Sequence, residues 1–242
     1  MRTLTSAIQF LTVLRIPGEP EAPGRAAVWF PLVGGALGAV GAGVYILAAR
    51  LLPASLASLA CVGFWAASTG VLHEDGLADV ADALRAGRTR ERMLEILKDS
   101  RIGAFGAVAL LLSVLARWQA LQYFSGLSIV TACITAQAVP RAAMVGLAWA
   151  SRPAGDGLGY SLASTLGTAG AALALLQGAI AAFVCGWRAG AVIVLGSFVI
   201  VRLAREYFYR RMGGVNGDCL GATEQVLEIF ILGLFACASC SW

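Results

Sequence analysis

The chain has 242 residues, of which 59% are hydrophobic and 13% charged, with a formal net charge of +4 and a mean hydropathy of +0.78. Soluble domains carry about 25% charged residues, so this composition excludes an ordinary soluble fold. A membrane-spanning helix needs about 20 apolar residues, so residues 1–242 have room for roughly six to eight spans in one membrane domain. The lipid bilayer is the expected surrounding, and no nucleic-acid partner is expected.

The first predicted element is an amphipathic helix over residues 1–16, lying at the membrane surface. Gln9 and Arg15 interrupt its apolar face, and no small-residue cleavage site follows, so it is not interpreted as a signal peptide. Seven apolar runs then predict membrane spans, which makes the expected fold class an all-α polytopic transmembrane helical bundle. These runs cover residues 27–49, 55–72, 104–122, 127–150, 168–186, 189–204 and 224–240.

Alternation of seven spans places almost all basic residues on one membrane face, which the positive-inside rule predicts to be cytoplasmic, in a cell inner membrane. With the N-terminus inside, the outer loops hold only Arg50 and Arg188. The acidic residues also fall at the inner ends or loops, although the rule does not require this, so the inner face is expected to use carboxylates. Arg117 and Arg141 lie within spans, where they are costly unless paired, snorkelling or facing a polar cavity.

A carboxylate-rich segment follows the second span. Asp75, Asp79 and Asp82 stand at i, i+4 and i+7, so on a helix they share one face and repel one another. Mg²⁺ is the simplest compensation, because it binds carboxylate oxygens together with water and substrate phosphate. The alternative is a solvated charged face neutralised by the arginines that follow. His73 could be a base, a ligand or a satisfied interfacial histidine.

Two further segments are candidates for phosphate binding. Lys98 and Arg101 precede the third span, where they could clamp an anionic group or merely anchor the helix. Gly103 and Gly106 open that span, and backbone N–H groups at a helix N-terminus favour a nearby phosphate.

A glycine-rich turn follows the sixth span, over residues 213–222. It contains Asn216 and Asp218, which suit a phosphate and cation pocket, although such a turn could simply reverse the chain. We expect it to face the carboxylate segment on the same side of the membrane.

In combination these motifs resemble the adenosylcobinamide-GDP ribazoletransferases, also called cobalamin synthases, over nearly the whole chain. Three departures from the family pattern are Glu74 for leucine, Ala83 for glycine and Asn216 for threonine. Glu74 lies about 100° from Asp75 around a helix, so we expect it to affect packing or local charge more than metal ligation. The segments that carry the resemblance are residues 10–17, 30–34, 73–83, 90–103 and 213–222.

The resemblance implies transfer of adenosylcobinamide phosphate from its GDP-activated form to the 5′ hydroxyl of α-ribazole, or to its 5′-phosphate, with release of GMP and with Mg²⁺ as cofactor. It implies metal binding and catalysis by Asp75, Asp79 and Asp82, with His73 as a further catalytic candidate. Substrate phosphate would be bound by Lys98, Arg101, Asn216 and Asp218, with Asp218 also a candidate for a second metal or a ribose contact.

Two other functions stay open at this point, and a homo-oligomer is possible. A CDP-alcohol phosphotransferase also uses aspartates at helical spacing, but Asp79 stands where its motif has arginine. A cation-coupled transporter would place acids at mid-span rather than at one side.

Overall fold

The computed structural model describes residues 2–87, 89–99, 101–155 and 157–237, and within these the chain is helical, with only an isolated bridge between Pro153 and Val215. The predicted all-α class is confirmed. In chain order the helices are α1 (Arg2–Leu11), α2 (Pro23–Ala26), α3 (Phe30–Ala48), α4 (Ala54–Thr69), α5 (Leu72–Ala86), α6 (Arg90–Ile96), α7 (Ala104–Leu121), α8 (Leu127–Trp149), α9 (Leu158–Thr165), α10 (Thr168–Phe183), α11 (Trp187–Met212) and α12 (Gly217–Ala236).

Five helical segments are each long and apolar enough to cross a membrane: α2 with α3, α7, α8, α11 and α12. The number reaches seven if the bent pairs α4 with α5 and α9 with α10 are each one span. The chain is therefore a multi-pass membrane protein. The α4–α5 bend is 88°, at Gly70 and Val71, which both have left-handed backbone angles. Because α5 turns away there and carries four acidic residues, we take α4 as the crossing part and α5 as a re-entrant segment. Its first residues lie inside the bundle, where Glu74 meets Arg117. Its second half, with Asp79 and Asp82, reaches the start of α7 and lies outside the spanning segments.

Three predicted spans differ at their ends from the helices that form. The second ends at Thr69 because the chain breaks at the next two residues. The sixth is part of the 26-residue α11, about 39 Å long, so its arginine-rich end extends beyond a bilayer core of about 30 Å. The last begins at Gly217, because the Asn216 side chain accepts the backbone N–H of Cys219 at 3.0 Å and caps the helix. Its predicted end at Cys240 lies outside the described residues.

Helix α8 is the centre of the bundle and packs against α3, α10 and α12. Small residues allow this close packing, as in other membrane helix interfaces. A Cβ added at Gly38 would collide with the Cys133 carbonyl oxygen, so α3 can approach α8 only through a glycine.

Helix α1 forms as predicted but ends at Leu11. Phe10 stacks on Phe30 with ring centroids 5.1 Å apart, and the Ser6 hydroxyl accepts the Glu21 backbone N–H at 2.8 Å. These contacts fix α1 against the start of α3. Its place at the membrane surface stays a prediction.

Candidate active site

The acidic helix α5 packs directly against the first turns of α12. A Cβ at Gly76 would lie 2.9 Å from the Asp218 carbonyl oxygen, so glycine is what lets the two helices touch. One at Gly221 would lie 3.2 Å from the Cα of His73. The expectation that the carboxylate segment and the glycine-rich segment face each other is confirmed; the membrane face on which they meet stays a prediction.

The turn between α11 and α12 is fastened to the loop before α9. The Val215 N–H donates to the Arg152 carbonyl and the Ala154 N–H to the Val215 carbonyl, both at 2.9 Å. Gly213 makes the turn with φ 76°, a left-handed conformation that glycine adopts without penalty. The loop and the start of α9 thereby become a wall beside the α12 N-terminus.

These elements enclose a cavity of about 340 Å³, here called the site cavity. Four of the predicted site residues line it: His73, Asp75, Asn216 and Asp218. The rest of the wall consists of Phe10, Leu72, Met144, Gly157, Leu158, Gly159, Leu162, Gly217, Leu220 and Gly221. Sequence patterns gave no indication of the contributions from α1, α8 and α9, because these segments carry no polar motif.

Asp79 is the most electrostatically crowded of the predicted ligands. Burial, then repulsion by Asp75, Asp218 and Asp82, raises its pKa from 3.8 to about 7. Several carboxylates within Coulombic reach are a donor set that suits a hard divalent cation. Among the described residues, no three His, Cys, Asp or Glu side chains are already arranged to hold an ion, so Mg²⁺ binding stays a prediction.

Asp82 is turned toward the start of α7. Its carboxylate accepts the backbone N–H groups of Gly103 at 2.7 Å and Gly106 at 2.9 Å, and so caps that helix. These amides are therefore not available to a phosphate, contrary to the expectation from the sequence. The negative charge of Asp82, which belongs to α5, offsets the partial positive charge of these amides at the start of α7 instead.

Lys98 and Arg101 are exposed and do not line the site cavity. The Arg101 guanidinium binds the Asp99 carboxylate at 2.7 Å, and its hydrogen bonds lower the pKa of Asp99 to about 2. A role of these two residues in phosphate binding stays a prediction.

Asn216 has two partners in the wall of the cavity. Besides capping α12, it donates from Nδ2 to Asp218 Oδ2 at 2.7 Å. A threonine at this position could also cap the helix, but its hydroxyl lacks the amide donor. The asparagine of this chain therefore both starts α12 and orients the Asp218 carboxylate.

A buried ionic network lies next to the site. Arg117 donates to Glu74 at 3.0 Å and faces Glu228 at 3.5 Å, with all three side chains buried. Glu74 thus balances a charge inside the bundle, which confirms that it affects packing and local charge. Glu74 and Arg117 come from helices α5 and α7, so only the fold reveals this pairing.

The second part of the network reaches the cavity. Arg141 binds Glu224 at 2.8 Å and the Gln137 carbonyl at 2.8 Å, and Glu224 also faces His73 Nδ1 at 3.6 Å. The sequence marks Arg117 and Arg141 as costly in a membrane but does not identify their partners. The expectation that the acidic residues lie at the inner ends or loops is wrong for Glu224 and Glu228, which are buried within α12. This pair at i and i+4 in the last apolar run was the available signal, because buried arginines require carboxylate partners.

Comparison with known proteins gives consistent matches over most of the chain. A family model described as Cobalamin-5-phosphate synthase matches residues 3–236. The chain is 38% identical to an adenosylcobinamide-GDP ribazoletransferase of Ralstonia pickettii (strain 12J), covering 97% of this chain and 95% of that protein. It is 40% identical to a protein of the same name from Bradyrhizobium diazoefficiens, covering 95% and 91%. No solved structure matches significantly.

Proposed function

The chain belongs to the cobalamin-5-phosphate synthase family, and from this premise we propose how its residues carry out the reaction. The enzyme joins adenosylcobinamide-GDP and α-ribazole in a late step of cobalamin biosynthesis. In the proposed reaction the 5′ oxygen of α-ribazole forms a bond to the phosphorus that carries adenosylcobinamide, and the bond from that phosphorus to GMP breaks. The observation that carries the proposal is one cavity lined by carboxylates of two helices, Asp75 and Asp218.

The first part of the proposal is a Mg²⁺ held by Asp75, Asp79 and Asp218. The crowding around Asp79 supports it, since a cation would offset the repulsion among these carboxylates. When bound, Mg²⁺ would neutralise the pyrophosphate and the departing GMP. Asp82 belongs to the triad predicted from the sequence. Here we assign it a positioning role, because its carboxylate is turned toward the backbone N–H groups at the start of α7.

The second part concerns the residues that handle substrate phosphate and proton. Arg101 would exchange Asp99 for a substrate phosphate, with Lys98 beside it, because a guanidinium binds phosphate in the same bidentate geometry as carboxylate. The proton of the attacking hydroxyl goes to one of the cavity carboxylates or to His73. Nε2 of His73 is buried and has no hydrogen-bond partner among the described residues.

The third part is location: a cell inner membrane, with the site cavity open to the cytoplasm. The clustering of basic residues on one predicted face supports it. Cysteines introduced at Arg210 and Arg188, in a background without other reactive thiols, test it. Arg210→Cys should react with an impermeant reagent only from the cytoplasm and Arg188→Cys only from outside; the reverse pattern would reject this orientation.

The decisive experiment is an assay for GMP release by membrane fractions supplied with adenosylcobinamide-GDP and α-ribazole. Release should require both substrates and Mg²⁺ and should stop when EDTA is added. α-Ribazole 5′-phosphate, tested in parallel, decides which acceptor is used. If GMP is released with neither acceptor although the protein is present in the membrane, the proposed activity is rejected.

A further inference from the structure

Most of the site cavity wall is apolar, although two carboxylates, Asp75 and Asp218, also line it. The apolar part is formed by side chains of five helices: Phe10, Leu72, Met144, Leu158, Leu162 and Leu220. Phe10 is fixed in orientation because its ring stacks on Phe30. Met144, Leu162 and Leu220 are 4%, 1% and 5% exposed, so this part of the wall belongs to the packed interior.

The polar groups of the cavity lie together on α5 and α12. Asp75 and Asp218 are the two carboxylates, and both functional groups of the Asn216 amide are already bonded to Asp218 and the Cys219 N–H. His73 is the remaining polar side chain. Glu224 faces its Nδ1 at 3.6 Å, which favours the tautomer with the proton on Nδ1 and leaves Nε2 as an acceptor.

The size and the lining of the site cavity indicate which part of the two substrates it can hold. A corrin with its amide-bearing side chains is far larger than about 340 Å³. Guanine carries donors and acceptors around its edge, which would lose hydrogen bonds against leucine and methionine side chains. The dimethylated benzimidazole base of α-ribazole is planar, small and almost entirely apolar, so it is the part that this wall suits.

We propose that the site cavity is the acceptor subsite: its apolar wall holds the dimethylbenzimidazole base, and the attached ribose points to the carboxylates. The 5′ oxygen then lies on the side of Asp75 and Asp218. This assignment rests on the proposed function and adds to it the residues that select the base.

The test compares two acceptors that differ only by the methyl groups of the base, α-ribazole and the same riboside of unsubstituted benzimidazole. One buried methyl group contributes about fourfold in affinity, so the wild type should prefer α-ribazole by about fifteenfold in kcat/KM. Leu162→Phe narrows the cavity and should abolish or invert that preference. Leu162→Ala widens it and should favour the bulkier naphthimidazole riboside. KM for adenosylcobinamide-GDP should stay unchanged in both variants.

Leu176→Phe is the matched control, because Leu176 is 55% exposed on α10, away from the cavity; it should keep the wild-type ratio. The ratio of the kcat/KM values for the two acceptors does not depend on the amount of folded protein. If Leu162→Phe does not accumulate, Met144→Phe narrows the cavity from another helix. The proposal would be overturned if the cavity variants kept the wild-type ratio of kcat/KM values for the two acceptors. It would also be overturned if these variants raised only the KM for adenosylcobinamide-GDP. Absence of GMP release from the wild type would instead reject the proposed function.

Discussion

Replacing Asp79 by asparagine distinguishes a metal site from a solvated acidic face. The substitution keeps the shape of the side chain and removes one charge from the group formed with Asp75, Asp82 and Asp218. Because burial and these neighbours raise the pKa of Asp79 to about 7, its ionised form is disfavoured in the absence of metal. Removing the charge should stabilise the metal-free protein by about 1 to 2 kcal/mol after allowance for solvent screening.

Activity should change in the opposite direction. If Asp79 binds Mg²⁺, its loss removes stabilisation of the developing negative charge, and turnover should fall about a hundredfold or more. The assay is GMP release over a Mg²⁺ titration, with thermal unfolding in detergent measured with Mg²⁺ and with EDTA. Mg²⁺ should stabilise the wild type and have a smaller effect on Asp79→Asn.

Glu206→Gln is a suitable control, because this exposed carboxylate pairs with Arg210 on the surface, away from the site cavity, and should leave GMP release unchanged. The metal assignment would be refuted by a folded Asp79→Asn enzyme that releases GMP at close to the wild-type rate without needing more Mg²⁺. The acidic face would then be a solvated one, as the alternative interpretation of the sequence holds.

Three other predictions concern stability and helix contact. With EDTA present, the stabilisation due to protonated Asp79 is complete below pH 4 and is lost as the pH rises through about 7. In thermal unfolding the wild type should therefore lose stability relative to Asp79→Asn between about pH 4 and pH 7. Parallel curves over that range would contradict this. Gly76→Val should separate α5 from α12 and lower GMP release at least tenfold, whereas Gly43→Val, at a position with nothing within 4 Å of an added Cβ, should not. Arg117→Met leaves buried carboxylates without their partner and should lower the free energy of unfolding by about 3 to 5 kcal/mol. Glu74→Leu should lower it less, because Glu228 still faces Arg117. Equal losses for the two variants in denaturation experiments would reject this network.

The sequence by itself determined the class of protein and much of the site. Apolar runs long enough to cross a bilayer predict the spanning helices directly, because length and hydropathy are local properties. The spacing of Asp75, Asp79 and Asp82 likewise predicts a shared helix face from local geometry alone. The family resemblance, carried by contiguous motifs, gave the reaction before any fold was known.

Tertiary structure decided which of these residues work together. Asp82 has the same spacing as its neighbours but binds amides of α7, while Asp218, from the other end of the chain, joins Asp75 at the cavity. The apolar wall, and which glutamate pairs with Arg117 and which with Arg141, also depended on the tertiary structure. Leucines and methionines have no distinctive pattern in a membrane protein, and an ion pair between distant helices depends on which faces pack together, which is a property of the assembled bundle.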